Sequence, residues 1–291
     1  MKRLFILLAL CAAVASCGSP VEKKVMARYV PERYDDFVYE NNFVAGRFYG
    51  IALEADVPGG HLVSPGIDVW VKYPGALVAD TLYKRELQEG ISYHKNSGLG
   101  KDCYKVSKSL GAGASVALAA DGSFLFPEHN YSSSEVLEDT PYKVVFVLHY
   151  PEWQAGDITI KLDKKVSVTA DTYFCAVEDC YTFSGVDSLE IAAGIFRHPA
   201  QETIEAEFTG EDRYAIWEHA SDQSVEPEDG MIGVAVVVPG AASVRCTEDG
   251  VHGICTRFVK SGEPFNYCFG SCWSKGNVTS PEDWFNIVRS I

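Results

Sequence analysis

Positive charge is scarce in this chain: 25 Lys and Arg stand against 40 Asp and Glu, a formal net charge of −15. That balance argues against duplex nucleic acid as a partner, because phosphate binding needs a basic surface. No apolar run is long enough for a permanent membrane-spanning helix; Leu4 to Ala13 is too short. CxxC and HxxxH patterns are missing, and with them the zinc signatures. There is no GxxxxGK[ST] phosphate loop and no GxSxG nucleophile elbow. His61, His129, His149, His219 and His252 are isolated and make no ligand set, so neither a metal nor a cofactor is expected. Internal repeats, low-complexity tracts and linkers are absent too.

What is present begins at the N-terminus. Lys2 and Arg3 precede the short apolar run, and Val14-Ala15-Ser16-Cys17 reads as a bacterial lipobox. Cleavage before Cys17 and acylation of its sulfur are expected. An ordinary secretory signal or an uncleaved anchor would equally mean export. Acyl chains attach a protein to a membrane without a spanning helix, because each buried methylene adds affinity. The body is therefore expected on the periplasmic side of a membrane or at the cell surface. Residues 18–27 read as a tether, and 28–291 as a single domain. No acidic run follows Cys17, so nothing there asks for surface display.

The composition is globular, with 47% apolar residues. Nine cysteines occur; Cys11 leaves with the signal and Cys17 carries lipid. In an exported protein the close pairs among the rest suggest disulfides. Cys246 and Cys255 flank the Asp249-Gly250 turn signal, and Cys175 and Cys180 are similarly spaced. Cys268 and Cys272 could bridge only if Phe269-Gly270-Ser271 turns. Cys103 is left over and has no nearby base that would make it a nucleophile.

Period-two alternation or short apolar runs recur along the whole body, as in residues 37–41, 44–54, 67–73, 143–150, 157–170, 172–177 and 266–273. Many strands in one long domain mean an all-β sandwich or barrel. Helices are few. Residues 78–87 read as one short helix. At the C-terminus Ser280 is a candidate N-cap, with Pro281 at the first helical position and Asp283 completing a capping-box-like arrangement. Trp284, Ile287, Val288 and Ile291 then share one apolar face.

Four stretches could carry chemistry. Residues 92–113 are glycine-rich and hold Tyr93, His94, Lys95, Lys101, Asp102, Lys105 and Lys108, a local positive excess on what reads as a long loop. His94 could serve as an acid or base near neutral pH; a solvated loop is the plainer reading. In residues 31–50, Glu40 and Arg47 alternate with apolar neighbours, so one face of a strand pair could present both. Ordinary salt bridges at a strand edge are the alternative. Asp68, Trp70 and Lys72 share parity; together they could hold a sugar, or Trp70 could be core. Arg197 and His198 follow an apolar strand, and Trp217 sits beside Glu218 and His219.

Taken together, PERYDDFVYENN, GRFYGIALE, SGLGKDCYKV-SKSLGAG, GIFRHP and CWSKGNVTSPEDWFNIV resemble the domain-of-unknown-function family numbered 4861, common in Bacteroidetes. The resemblance runs from roughly residue 28 to the C-terminus. It implies a large antiparallel β-sandwich similar to the galactose-mutarotase-like supersandwiches, whose concave sheet binds sugars. It also implies a setting among polysaccharide-degradation genes. Where members read YHKDHGEGxDxY, this chain has YHKNSGLGKDCY: Asn96, Ser97 and Leu99 replace Asp, His and Glu. Where members read WEND, it has Tyr39-Glu40-Asn41-Asn42.

Two functions follow as expectations. One is an enzyme acting on uronic-acid-containing oligosaccharides by lyase, hydrolase or epimerase chemistry, with His94, Asp102, Glu40 and Arg47 as working residues. In it Arg47, Lys72 or Lys95 would neutralise the sugar carboxylate. The other is a non-catalytic glycan-binding lipoprotein with Trp70, Tyr93 and Trp217 as stacking platforms. Asp68, Lys72, Lys95, Arg197 and His198 would complete the ligand contacts. Both place an oligosaccharide as the ligand and limit membrane contact to the lipid anchor.

Overall fold

The computed structural model describes residues 21–56, 60–198, 203–219 and 227–291. Cys17 and the expected signal lie outside them. The chain runs β1 (Val25–Val30), β2 (Asp36–Asn41), β3 (Ala45–Phe48), β4 (Asp68–Lys72), helix α1 (Ala79–Lys84), β5 (Gly100–Asp102), β6 (Ala112–Leu118) and β7 (Phe124–Leu125). It continues through β8 (Ser133–Asp139), β9 (Lys143–His149), β10 (Trp153–Ala155), β11 (Ile158–Thr169), β12 (Phe174–Ser184) and β13 (Leu189–Phe196). Last come β14 (Ile204–Thr209), β15 (Arg213–His219), β16 (Met231–Val237), β17 (Ser243–Cys246), β18 (His252–Val259), β19 (Pro264–Trp273) and helix α2 (Pro281–Ser290).

The protein is an all-β antiparallel sandwich. A nine-stranded sheet, ordered β14-β15-β16-β19-β12-β11-β9-β8 with β10 paired to β11, forms one layer. Two five-stranded sheets, β1-β2-β3-β4-β5 and β17-β18-β13-β6-β7, form the other. They join through a parallel bridge between Ile67 and Gly111. Gly111 has φ +56, and a Cβ there would collide with the Ile67 carbonyl, so the join needs glycine.

Alternation explains the layering. Phe37, Tyr39, Phe48, Val69 and Val71 face inward and meet Phe146, Val166, Val177 and Phe269 of the large sheet. Phe37 and Phe146 approach to 4.4 Å between ring centres, and Tyr39 meets Phe269 edge-on at 5.7 Å. On the far face of the large sheet α2 buries Trp284, Phe285 and Val288 against Trp217 and Val237. Ser280 caps α2 as expected: its hydroxyl accepts from the Asp283 N–H at 3.2 Å and donates to the Asp283 carboxylate at 2.7 Å.

The structure corrects several expectations. Residues 51–54 form a 3-10 turn rather than a strand, with only Leu53 buried. β1 begins at Val25, inside the expected tether. All seven described cysteines are free thiols. Cys175 and Cys180 lie on β12, which pairs without a break with β11 and β19 across this stretch. Cys268 and Cys272 lie on β19, which does not turn at Gly270. Cys246 stands opposite Gly253, and Cys255 opposite Val244, so those two do not face each other across the hairpin. Two of the three expected disulfide loops are therefore continuous strands, and the third is a hairpin without the bridge.

The edge strand β8 is mostly exposed and carries Glu135, Glu138 and Asp139 beside Val136 and Leu137. Its register shifts between Val136 and Glu138, a bulge in the ladder with β9.

Candidate functional site

The outer face of the first five-stranded sheet is polar where its inner face is apolar. Period two puts Asp36, Val38 and Glu40 of β2 on that face, with Ala45 and Arg47 of β3. Antiparallel register then sets Arg47 opposite Asp68, and Trp70 of β4 opposite Asp102 of β5. The residues of four strands thus meet around one guanidinium.

Arg47 is 4% exposed. Its Nε donates to Asp68 Oδ2 at 2.7 Å, its Nη2 to Asp102 Oδ2 at 2.7 Å, and its Nη1 to Tyr93 Oη at 3.1 Å. Asp36 Oδ2 lies 3.4 Å from Nη1. The guanidinium carbon sits 5.3 Å from the Trp70 ring centre and 5.2 Å from that of Tyr93, a doubly aromatic cage. Tyr49 Oη donates to Asp68 at 3.2 Å, and Tyr83 Oη to Asp36 at 3.1 Å. Arg33 Nη1 approaches Asp36 Oδ1 at 3.6 Å, and its Nε donates to Tyr93 Oη at 3.4 Å.

A roof covers this set. α1 supplies Tyr83, and the following loop supplies Tyr93 and His94. Trp70 and Tyr93 stack at 5.4 Å with Tyr83 alongside. The roof is fixed at its start by Glu40, whose carboxylate accepts from the Val78 and Ala79 amides at 2.7 and 2.9 Å. Val78 offers α1 no side-chain cap, so a strand residue does that work. Lys72 pairs with Glu40 at 2.7 Å and donates to the Asn41 and Ala76 carbonyls.

Burial governs the electrostatics. It pushes Asp36 up to about 6, against the pull of Arg47 and Arg33. Asp68 is raised for the same reason, against Arg47. Asp102 is raised well above the carboxylate range, by burial first and then by the charge of Asp68. Burial works against the charge on Arg47, but Tyr93 and the three carboxylates outweigh it and hold its pKa well above the usual value. One oxygen each of Asp36, Asp68 and Asp102 is buried without a hydrogen-bond partner among the described residues. Three close carboxyl groups sharing two arginines favour protonation of at least one.

His94 is the member of the set that reaches solvent, with 39% of its side chain exposed. Its Nδ1 lies 3.2 Å from the Asp102 carbonyl, which can only accept. The proton is therefore on Nδ1, and Nε2 keeps its lone pair. Burial lowers the pKa of His94, against the Asp102 carbonyl bond, so the ring is neutral near pH 7. A neutral, oriented imidazole at the rim of a charged set is equipped to accept a proton.

The structure thus gathers Arg47, Asp68, Trp70, Tyr93, His94 and Asp102, and leaves the other expected residues elsewhere. Glu40 and Lys72 are spent on the roof. Trp70 is 1% and Trp217 3% exposed, so neither offers an open stacking face; Trp217 lies beneath α2. Arg197 binds Glu207 at 2.8 Å and the Gly250 carbonyl. His198 is buried between Glu218 at 2.8 Å and the Lys105 carbonyl at 2.6 Å. Lys95 is exposed on the roof loop, whereas Lys101 is buried against Asp229. Arg33 and Asp36, both in the candidate stretch 31–50, join the set, and Tyr49 and Tyr83 complete it without having been assigned a role there. Asp36 shares the parity of Glu40, which was the available signal; the tyrosines are placed by tertiary packing. No group of three or more His, Cys, Asp or Glu suited to a metal ion occurs among the described residues.

A family described as "Domain of unknown function (DUF4861)" matches residues 15–291. "Uncharacterized protein P7" of Formosa agariphila is 32% identical over 217 residues, which is 73% of this chain and 51% of that protein. The chain therefore spans about half the length of that relative. Among solved structures, a putative kojibiose phosphorylase from human microbiome aligns with TM-score 0.44 and 8% identity, over 91% of this chain and 34% of its own. The GH36 α-galactosidase AgaB of Geobacillus stearothermophilus aligns with TM-score 0.41 and 10% identity, over 86% of this chain and 41% of its own.

Proposed function

Because the chain belongs to the DUF4861 family, we propose that it is an exported, lipid-anchored protein that processes uronic-acid-containing oligosaccharides, with His94 as the base. The observation that carries this reading is the neutral His94 imidazole, its tautomer set by the Asp102 carbonyl, at the rim of the Arg47–carboxylate set. The carbohydrate class comes from the family resemblance; the chemistry comes from the geometry.

The reaction that fits is β-elimination. Nε2 takes the proton from the carbon beside the uronate carboxylate. Its electron pair forms a carbon–carbon double bond as the glycosidic carbon–oxygen bond on the adjacent carbon breaks. The departing oxygen takes a proton from water. A cation must neutralise the carboxylate while this happens. Of Arg47, Lys72 and Lys95, only Lys95 is exposed, so it takes that role; Arg47 instead holds Asp102 and through it the imidazole. A purely binding role is less well supported, since Trp70, Tyr93 and Trp217 are all buried.

Export rests on Lys2, Arg3 and the Val14–Cys17 lipobox. The activity is tested by incubating the protein with a panel of uronate-containing oligosaccharides and reading unsaturated products by ultraviolet absorbance. His94→Ala should lower turnover by about 10²–10⁴-fold, the usual worth of a general base. The acid limb of the pH profile should lie below 6.5, because burial lowers the His94 pKa and activity needs the neutral ring. Unchanged turnover in His94→Ala removes the assignment.

A further inference from the structure

The second five-stranded sheet also has an outer face, and it is open. A groove of about 1240 Å³ lies across it, bounded by the β6–β7 turn and the β17–β18 turn. That exceeds the roughly 300–1,000 Å³ of pockets for drug-sized ligands, so more than one sugar ring fits. We infer that this groove binds a neutral oligosaccharide, at a place separate from His94.

The lining carries apolar rings on its sides and polar groups between them. Phe258 is 60% exposed, a degree unusual for a phenylalanine. Phe126 stands on the opposite wall with the Lys108 ammonium 5.9 Å from its ring centre. Aromatic faces of this kind cover the C–H face of a sugar ring.

The floor supplies a buried donor. His252 is 6% exposed and lines the groove. Its Nε2 accepts from the Leu110 amide at 3.3 Å, so the proton is on Nδ1. Nδ1 has no protein partner among the described residues, and burial keeps the ring neutral, its pKa lowered to about 4. That N–H is free to donate to an acceptor bound in the groove.

Charge selects the ligand. The lining holds Asp121, Glu190, Glu248 and Asp249 against Lys108 and Arg245. Arg245 already leans on Glu190 at 3.7 Å. The groove is therefore acidic on balance and repels a uronate or sulfate chain. Ser123, Ser188 and Thr247 also line it, which suits hydroxyl ligands, since each hydroxyl both gives and takes a hydrogen bond.

The ligand class rests on the carbohydrate reading above, while the place does not depend on His94. The test is isothermal titration of the whole mature protein with neutral hexasaccharides (xylo-, cello-, manno- and maltohexaose) and with hexagalacturonate. At least one neutral hexamer should bind more tightly than hexagalacturonate. Phe258→Ala and Phe126→Ala should each weaken it about tenfold or more, the loss expected for a truncated aromatic anchor. Phe258 is mostly solvent-facing, so its variant keeps the fold. His94→Ala should leave this binding unchanged, and Phe258→Ala should leave uronate turnover unchanged. Absence of binding by every neutral hexamer, equal binding by both phenylalanine variants, or a preference for hexagalacturonate each overturns the inference. Loss of turnover assignment at His94 would sink the catalytic reading alone.

Discussion

Asp36 sits between two arginines and a tyrosine, yet burial raises its pKa from 3.8 to about 6. Solvation lost on burial thus outweighs the charges gained. Between those values the folded state holds a proton that the unfolded chain has released. The stability this group contributes is present below about pH 4 and lost as pH rises through about 6. Asn at this position cannot titrate. The stability gap between Asp36→Asn and the wild-type protein should therefore move in the variant's favour by about 2 kcal/mol from pH 4 to pH 7, at roughly 1.4 kcal/mol per pKa unit. Urea titrations at several pH values measure it, and a pH-independent gap would refute the shift. Asp36 also shows what residue-level reading can reach. Parity alone puts it on the face of Glu40 and Arg47, as it puts Asp68 with Trp70. Parity cannot say that Glu40 turns aside to cap a helix while Asp36 joins the arginine. That choice depends on where α1 lands, and α1 is positioned by long-range contacts.

Among the elements, α1 is the one whose placement decides the site. Its six residues continue only into one π-helical turn over Arg85–Glu89, too short a run to persist alone, and its first turn has no side-chain cap of its own. Glu40 from β2 supplies the cap, and Lys72 from β4 neutralises Glu40. Glu40→Gln leaves a buried ammonium without its anion, which should cost about 3–5 kcal/mol. The same variant should speed hydrogen exchange at the Leu82 amide, which bonds the Val78 carbonyl at 2.9 Å in that first turn. Protection equal to that of the wild-type protein would show that the roof is held by its aromatic contacts instead. The strands themselves were legible because one face is dry and alternation records it. The cysteine spacings were misleading for a related reason. Cys175 and Cys180, like Cys268 and Cys272, fall on strands long enough to hold both partners; buried and exposed neighbours alternate unbroken between the first two, and the second two are joined by a wholly buried run. β8 left little trace because an edge strand with both faces wet has no apolar period.

At the scale of the molecule, the sandwich was readable from strand count and the absence of long helices. How its two smaller sheets lie side by side was not, since the join rests on one backbone bridge at Gly111. No helix among the described residues is long and apolar enough to cross a membrane. The proposed attachment to a membrane depends on Cys17, with each acyl methylene adding about 0.8 kcal/mol. Cys17→Ser should shift the protein from the membrane to the soluble fraction and abolish labelling by radioactive palmitate; retention on the membrane would refute lipidation. Neighbours held in a plane would meet edge to edge far more often than in free solution. β8 offers such a neighbour unpaired amides alongside Val136 and Leu137, the ingredients of a growing fibre. Its bulge interrupts the template, and Glu135 sets a charge on the edge, while Glu138 and Asp139 hold Lys143 and Lys23 beside it. The margin of the large sheet is thereby shaped to turn away its own twin.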